Sequence, residues 1–380
     1  MKIGYTTYFD AKDIGAWSGT IYHIGKNFEK QGFEVEYIDK LKKFSHYLFR
    51  YKSLYYKLIN KQYHRIREPF INKNIARQIE KKIKIINPDI IFSADALPVS
   101  CLECKQPIVF WSDATFAGML NFYYCYFNLN KKTIENGMML EQSAYDRAKL
   151  ILFSSDWAAQ TAIDNFKVDK NKIHVVPFGA NIETEFTYEE MKSIILSRNN
   201  NIIKILFVGV DWIRKGGDIL IQVVRELIKL GFKIELNIIG TNPELREEDY
   251  KFTNVHGFLR KWVPEENKKI IDLFKNSHIF IMPTRAEAYG IVFCEANAFG
   301  LPVIGPDTGG VPTIIKDGIN GYLINHEKPV ESIVKLFSSI FSDSKKYTEL
   351  SLSSFNEYQK RLNWKASILK VRELLNQIVN

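Results

Sequence analysis

Twice in this chain a short apolar run ends in a glycine-bearing loop, passes into a helical pattern and returns to a second apolar run. Near the start the run is Lys2 to Tyr8, and the loop holds Trp17-Ser18-Gly19-Thr20. A helix is expected over Ile21 to Lys30, with Ile21, Ile24 and Phe28 on its apolar face and Gly32 as the cap. Phe33 to Ile38 is the next strand. The second series runs from a strand at Lys204 to Gly209, through a helix at Asp218 to Leu230, to a strand at Lys233 to Ile239. Strand, loop, helix and strand in that order make a βαβ unit, whose two strands lie parallel in one sheet.

Further strands are expected at Pro88 to Phe92, Ile108 to Trp111, Leu150 to Phe153 and Ile173 to Val176. The alternation breaks near Asn181, and the stretch Leu196 to Asn201 is polar and loop-like. After the second series, His278 to Met282, Pro302 to Ile304 and Tyr322 to Ile324 read as strands. A chain of 380 residues has room for two domains. The expectation is an α/β protein with two Rossmann-like domains, residues 1–181 and 182–361. Open parallel sheets bind ligands at the carboxyl ends of their strands. Two such domains facing each other would place a site in the cleft between them.

Composition narrows the classes. Hydrophobic residues make up 46% and charged residues 25%, which supplies apolar material for two cores and excludes a mostly disordered chain. No apolar stretch approaches the ~18 residues of a spanning helix, and the first residues lack a signal peptide's apolar run. Four cysteines, Cys101, Cys104, Cys125 and Cys294, are too few for a disulfide scaffold. A cytoplasmic compartment is expected. Cys101 and Cys104 form a lone CxxC with no second ligand pair, and read as small apolar residues near a strand.

Two segments carry chemistry. In Pro283 to Gly300, PTRAEAYGIVFCEANAFG, a strand ends in a loop holding Glu287, and a helix starts near Gly290 with Glu295 inside it. Gly290 permits close backbone approach, and the amides of Ile291 and Val292 open the helix, where the dipole and free N–H groups bind phosphate. Carboxylates beside a phosphate site accept hydroxyl donors of a sugar. The same spacing also fits two solvated glutamates at a helix end. In Phe207 to Gly217, FVGVDWIRKGG, Arg214 and Lys215 stand at a helix start. The dipole disfavours cations there unless an anion is bound, although exposed loop cations would look alike.

In these blocks and in one further on, the second half resembles the retaining glycosyltransferases of family 4, which have the GT-B fold. FVGVDWIRKGGDIL is similar to the family's glycine and lysine block. PTRAEAYGIVFCEA is similar to its paired-glutamate block, with two glutamates eight positions apart. LPVIGPDTGGVPTIIKDGINGYLI is similar to its third block. The first half matches in layout, through WSGT, GFEV, FSSDW and VVPFGAN. The resemblance implies a nucleotide-sugar donor, UDP- or GDP-linked, and no metal or other cofactor. Donor contacts would come from Gly209, Arg214, Lys215, Glu287, Gly290, Ile291, Val292 and Glu295. Lys215 would neutralise the departing diphosphate, Glu295 would hold the ribose, and Glu287 would hold the donor sugar. The Gly19 loop would line the acceptor side, and the terminal segment 362–380, with its helix Trp364 to Ile378, would cross back to the first domain.

The sequence also departs from the family. Val210 stands where the family has an arginine, which leaves Arg214 to replace it, and Thr313 stands where it has a glutamate. Where the family carries a histidine after a first-domain strand, this chain reads Val109-Phe110-Trp111-Ser112-Asp113. Asp113 is a catalytic candidate, as hydroxyl acceptor or base, or else a helix cap or turn residue.

The net charge of +9 is concentrated. Leu41 to Ile85 carries 13 Lys and Arg against Glu68 and Glu80, which leaves the rest of the chain slightly acidic. Phe44, Tyr47, Leu48, Tyr51, Leu54, Tyr55, Leu58 and Ile59 recur there at helical spacing. Basic helices with aromatics lie on anionic membranes, and the first domain of such enzymes takes the acceptor. The segment reads as an acceptor-side membrane contact, peripheral on the inner face, with a stripe packed on its own domain as the alternative. No nucleic-acid module accompanies it. The expected activity is transfer of a hexose-like sugar to a glycan or lipid-linked acceptor in cell-surface polysaccharide or glycoconjugate synthesis. The rivals are a non-catalytic sugar-nucleotide-binding partner subunit and a GT-B sugar-nucleotide epimerase. A nicotinamide oxidoreductase is disfavoured because no GxGxxG follows either first strand.

Overall fold

A computed structural model of the chain describes residues 1–42, 44–182, 186–198 and 201–378. The expectations that touch the Phe44 side chain, or Asn199 and Asn200 of the polar stretch, lie outside the described residues. The chain divides into two compact units. Met1–Phe178 and Ser367–Asn380 form the first, and Gly179–Ala366 forms the second.

The first unit holds a parallel sheet of β1 (Lys2–Thr6), β2 (Glu34–Ile38), β3 (Ile90–Ala94), β4 (Ile108–Ser112), β5 (Leu150–Phe153) and β6 (Ile173–Val175). Their spatial order is β2-β1-β3-β4-β5-β6. β3, β4 and β5 are buried along their whole length, as expected of parallel strands covered on both faces. The covering helices show why they form. Thr20–Lys30 buries Ile21, Ile24 and Phe28, and Pro69–Ile86 buries Ile71, Ile75, Ile79 and Ile83, four residues apart on one stripe.

The second unit holds β7 (Ile203–Val208), β8 (Ile234–Ile239), β9 (Thr253–Val255), β10 (Ile279–Ile281), β11 (Val303–Pro306) and β12 (Gly321–Ile324), all parallel. Their order is β12-β11-β10-β7-β8-β9. Counted from β7, this is the 3-2-1-4-5-6 order of dinucleotide-binding domains, and the chain reverses direction across the sheet between β7 and β10. The loops after those two strands meet at that point, and they are the loops that hold Lys215 and Glu287. β9 was not anticipated, because three residues with an exposed middle Asn254 give no periodic signal.

The chain passes between the units twice, at 178/179 and 366/367. These points lie a few residues from the expected boundaries at 181 and 361. The shift has a physical cause, since both crossing segments are tied into the second unit. The Ala180 amide donates to the Leu362 carbonyl at 3.0 Å, and the Trp364 indole donates to Asn181 Oδ1 at 3.0 Å. The helix Trp364–Asn376 therefore begins in the second unit. Ile368, Val371, Leu374 and Leu375, in its part that belongs to the first unit, are buried.

Candidate donor site in the second unit

The loop after β7 and the loop after β10 are stitched together. The Arg285 amide and the Thr284 hydroxyl both donate to the Arg214 carbonyl, at 2.7 and 3.0 Å. Gly216 sits at φ 78°, and a Cβ there would lie 2.0 Å from the Pro283 carbonyl oxygen, so the loops can approach this closely only at a glycine. Gly209 leaves room for the Lys215 stem, which a Cβ would meet at 2.8 Å.

The result is a buried ion pair at the reversal point. The Lys215 ammonium bonds the Glu287 carboxylate, and both side chains are nearly inaccessible, 13% and 9% exposed. Arg214 lies beside them, with Nη1 donating to the Ala286 carbonyl at 3.0 Å and standing 3.8 Å from Glu287 Oε2. Its Nε reaches Asp211 at 3.3 Å. Val210 is exposed and takes no part in this cluster. The third sequence block supports Glu287 from behind, where the Gly310 amide donates to its carbonyl at 3.2 Å. Thr313 lies in the short helix Val311–Ile314, and its carbonyl accepts from Arg361.

Gly290, at φ 91°, starts the helix Ile291–Ala298, so the amides of Ile291 and Val292 occupy its first turn, where no intrahelical acceptor exists. Glu295 follows on the same helix and is buried. Its partner is Lys261, which also donates to the Asn181 carbonyl at 3.3 Å. Gly209, Arg214, Lys215, Glu287, Gly290, Ile291, Val292 and Glu295 thus occupy the two loops at the reversal point and the helix that one of them opens. The arrangement provides two cations and a helix N-terminus for an anion, and two carboxylates for hydroxyl donors. Among the described residues, no group of three or more His, Cys, Asp or Glu could hold a metal ion.

In the first unit, Asp113 follows β4 and accepts a 3.0 Å bond from the Trp17 indole. Trp17 and Ser18 have positive φ, and Gly19, at φ 90°, starts the helix Thr20–Lys30. The Gly19 loop and Asp113 are therefore held together at the carboxyl ends of the strands. The cap reading of Asp113 is corrected. The short helix Phe116–Met119 is capped by Thr115, whose hydroxyl accepts from the Gly118 amide at 2.8 Å.

Two family models match this chain, one described as Glycosyl transferases group 1 over residues 189–355 and one as Glycosyltransferase Family 4 over residues 19–184. The chain belongs to the group 1, family 4 glycosyltransferases. An uncharacterized 41.2 kDa protein in the cps region of Klebsiella pneumoniae is 29% identical over 204 residues, 53% of this chain and 54% of that one. A D-inositol 3-phosphate glycosyltransferase of Corynebacterium jeikeium is 25% identical over 262 residues, 64% and 61% of the two chains. This chain therefore spans little more than half the length of these curated relatives. The structure of Anabaena HepE in complex with UDP-glucose superimposes with a TM-score of 0.63 at 14% identity, covering 100% of both chains. That likeness establishes the fold, which is GT-B.

Sequence reasoning missed three features. Lys261 lies 34 positions before Glu295, in a stretch with no motif. Trp17 could not be matched to Asp113 across 96 positions. The third is a cluster in the first unit of the buried Arg67 and Glu141 with the half-buried Asp95. Glu141 fixes the loop that follows Asp113, because it accepts from the Phe116 amide at 2.6 Å and from the Tyr145 hydroxyl at 2.8 Å. Arg67 stacks on Phe116, 4.4 Å from the ring centre.

The basic segment divides. The helix Pro69–Ile86 packs on its own unit, whereas Arg50–Leu58 buries no residue. Tyr51, Leu54, Tyr55 and Leu58 on that helix are exposed, as are Tyr47 and Leu48 before it, so the packed-stripe alternative fails for the residues described here. Among the described residues no helix is long and apolar enough to cross a membrane.

Burial pushes the Glu141 carboxyl up to about 7, against the opposing pull of Arg67 and its two hydrogen bonds. A carboxyl raised on folding stabilises below its unfolded value, and that contribution is lost as pH rises through the folded value. Between pH 5 and 7.5 the wild type should lose on the order of 2–3 kcal/mol that Glu141→Gln keeps. Denaturant titrations of both proteins across this range check it, and parallel curves would remove Glu141 as the cause.

Proposed function

We propose that the protein is a retaining, metal-independent glycosyltransferase. It takes a sugar from a UDP- or GDP-linked donor and passes it to a hydroxyl of a glycan or lipid-linked acceptor in cell-surface polysaccharide or glycoconjugate assembly. The observation that carries this reading is the Lys215–Glu287 pair, with Arg214 beside it, at the reversal point of the second sheet. Family membership supports it, as does the UDP-glucose named for HepE, a protein of the same fold.

The chemistry follows from the charges. The bond between the anomeric carbon and the diphosphate breaks, and negative charge collects on the leaving oxygen. Lys215, Arg214 and the amides of Ile291 and Val292 stabilise that charge, which is larger in the transition state than in the bound donor. Glu287 accepts hydroxyls of the sugar and fixes the anomeric carbon, while Glu295 accepts the ribose hydroxyls. The acceptor oxygen forms its bond on the face the diphosphate leaves, and its proton passes to the leaving phosphate oxygen. Asp113, fixed by Trp17, orients the acceptor hydroxyl. Arg214 takes the part of the arginine that Val210 replaces.

The exposed Arg50–Leu58 helix, within the basic segment 41–85, supports docking on an anionic membrane surface. Its aromatic and leucine side chains reach the lipid boundary and its cations meet the headgroups.

Three measurements follow. In a screen of UDP-, GDP-, ADP- and TDP-sugars, a single donor family should raise the melting temperature and slowly release its nucleoside diphosphate. Stabilisation without release, even with acceptor extracts added, would favour a binding partner subunit, and no response to any donor would remove the proposal. Lys215→Ala should lower turnover at least ~100-fold, the scale of one lost transition-state charge contact. Turnover close to wild type would end the role assigned to Lys215. Neutralising the cations of 41–85 should weaken sedimentation with phosphatidylglycerol vesicles, and a wild-type protein that ignores such vesicles at low salt would end the membrane reading.

A further inference from the structure

Lys261 occupies a position its place in the sheet does not require. It follows β9, at one edge, whereas Glu295 lies on the helix after β10, and β7 and β8 stand between those two strands. Strand spacing of about 4.8 Å makes that a reach of roughly 14 Å across the carboxyl ends of β7 and β8, the ligand side of a parallel sheet. The neighbouring Arg260 behaves differently. It pairs locally with Glu266 on the surface, with half of its side chain exposed. Lys261 instead spans inward to a carboxylate that is 2% exposed.

An ammonium has three N–H donors. One goes to Glu295 Oε1 and one to the Asn181 carbonyl at 3.3 Å. The third remains for a ligand, and the side chain is 27% exposed, enough to receive one. The Asn181 end is itself fixed, because its side-chain oxygen accepts from Trp364. The lysine is therefore held from behind, beside a carboxylate it orients.

We propose that Lys261 is a specificity-determining residue that reads the ribose of a nucleoside diphosphate. It orients Glu295 to accept a ribose hydroxyl and donates its third proton to a ribose oxygen. The inference rests on the donor reading given above and deepens it, since it assigns recognition of the ribose to a carboxylate and lysine pair rather than to the carboxylate alone. A lysine that only neutralised a buried charge would support the fold and would not distinguish a ribose from a 2′-deoxyribose.

The test is calorimetric binding of UDP, GDP and their 2′-deoxy counterparts to the full chain. The wild type should prefer the ribonucleotide by ~10-fold or more, the scale of a hydrogen bond to a charged group. Lys261→Ala should lose that preference. UDP or GDP binding falls ~10-fold, while the 2′-deoxy nucleotide binds within ~3-fold of wild type. Lys261→Arg, which keeps the charge, should restore part of the preference, and Glu295→Gln added to Lys261→Ala should lower it no further. If Lys261→Ala does not fold, Lys261→Gln carries the same comparison. Equal losses for ribo- and deoxynucleotides in these variants would overturn the inference and leave the donor reading standing. So would a wild type that binds both sugars equally. A wild type that binds no nucleoside diphosphate would overturn both.

Discussion

Glu287 and Glu295, two of the carboxylates buried in the second unit, set the loops at the carboxyl ends of its strands. Each needs a counter-charge within reach, because burying an ion without one is among the costliest things a fold can do. Glu287 obtains Lys215 from the loop after β7, which requires Gly209 to be bare and Gly216 to take a left-handed turn. Glu295 obtains Lys261 from the far edge of the sheet. The parallel topology makes both possible, because every loop that carries a partner emerges on the same side of the sheet.

The first unit builds its loops by a different means. Asp113 accepts from an indole nitrogen, and the loop behind it is fixed by Thr115, Glu141 and the stacked Arg67. The second unit thus presents paired charges suited to an anionic, hydroxyl-rich ligand. The first presents a carboxylate that accepts from an indole N–H, which suits a hydroxyl. This division agrees with a transferase whose donor carries the charge.

Local signals in the sequence were enough for every sheet strand but β9, for both partners of the Lys215–Glu287 pair and for Glu295. Ile90 to Ala94 and Ile203 to Val208 are apolar runs beside glycine or polar turns, and such runs announce themselves. Glu287, Lys215 and Glu295 were legible because loop, glycine and helix start follow one another along the chain. Lys261 was not legible, because its meaning lies in a contact across two intervening strands and the residues around it have no period. Asp113 was left open because a cap, a turn residue and an acceptor look alike in sequence, and the position of Thr115 removes the first of these. The basic segment gave its amphipathic pattern, but a pattern does not say which of two successive helices faces the core. The burial of Ile71, Ile75, Ile79 and Ile83 decides that.

The two crossings between the units have a consequence for synthesis. Residues 179–366 form one unbroken length of chain inserted into the other unit, with its ends joined by the Ala180–Leu362 hydrogen bond. Such an insert has all its contacts available as soon as residue 366 has left the ribosome. The other unit does not, although its first strand is made first. Its core includes Ile368, Val371, Leu374 and Leu375, which are translated after all six of its strands. On the ribosome, the part begun first is therefore completed last.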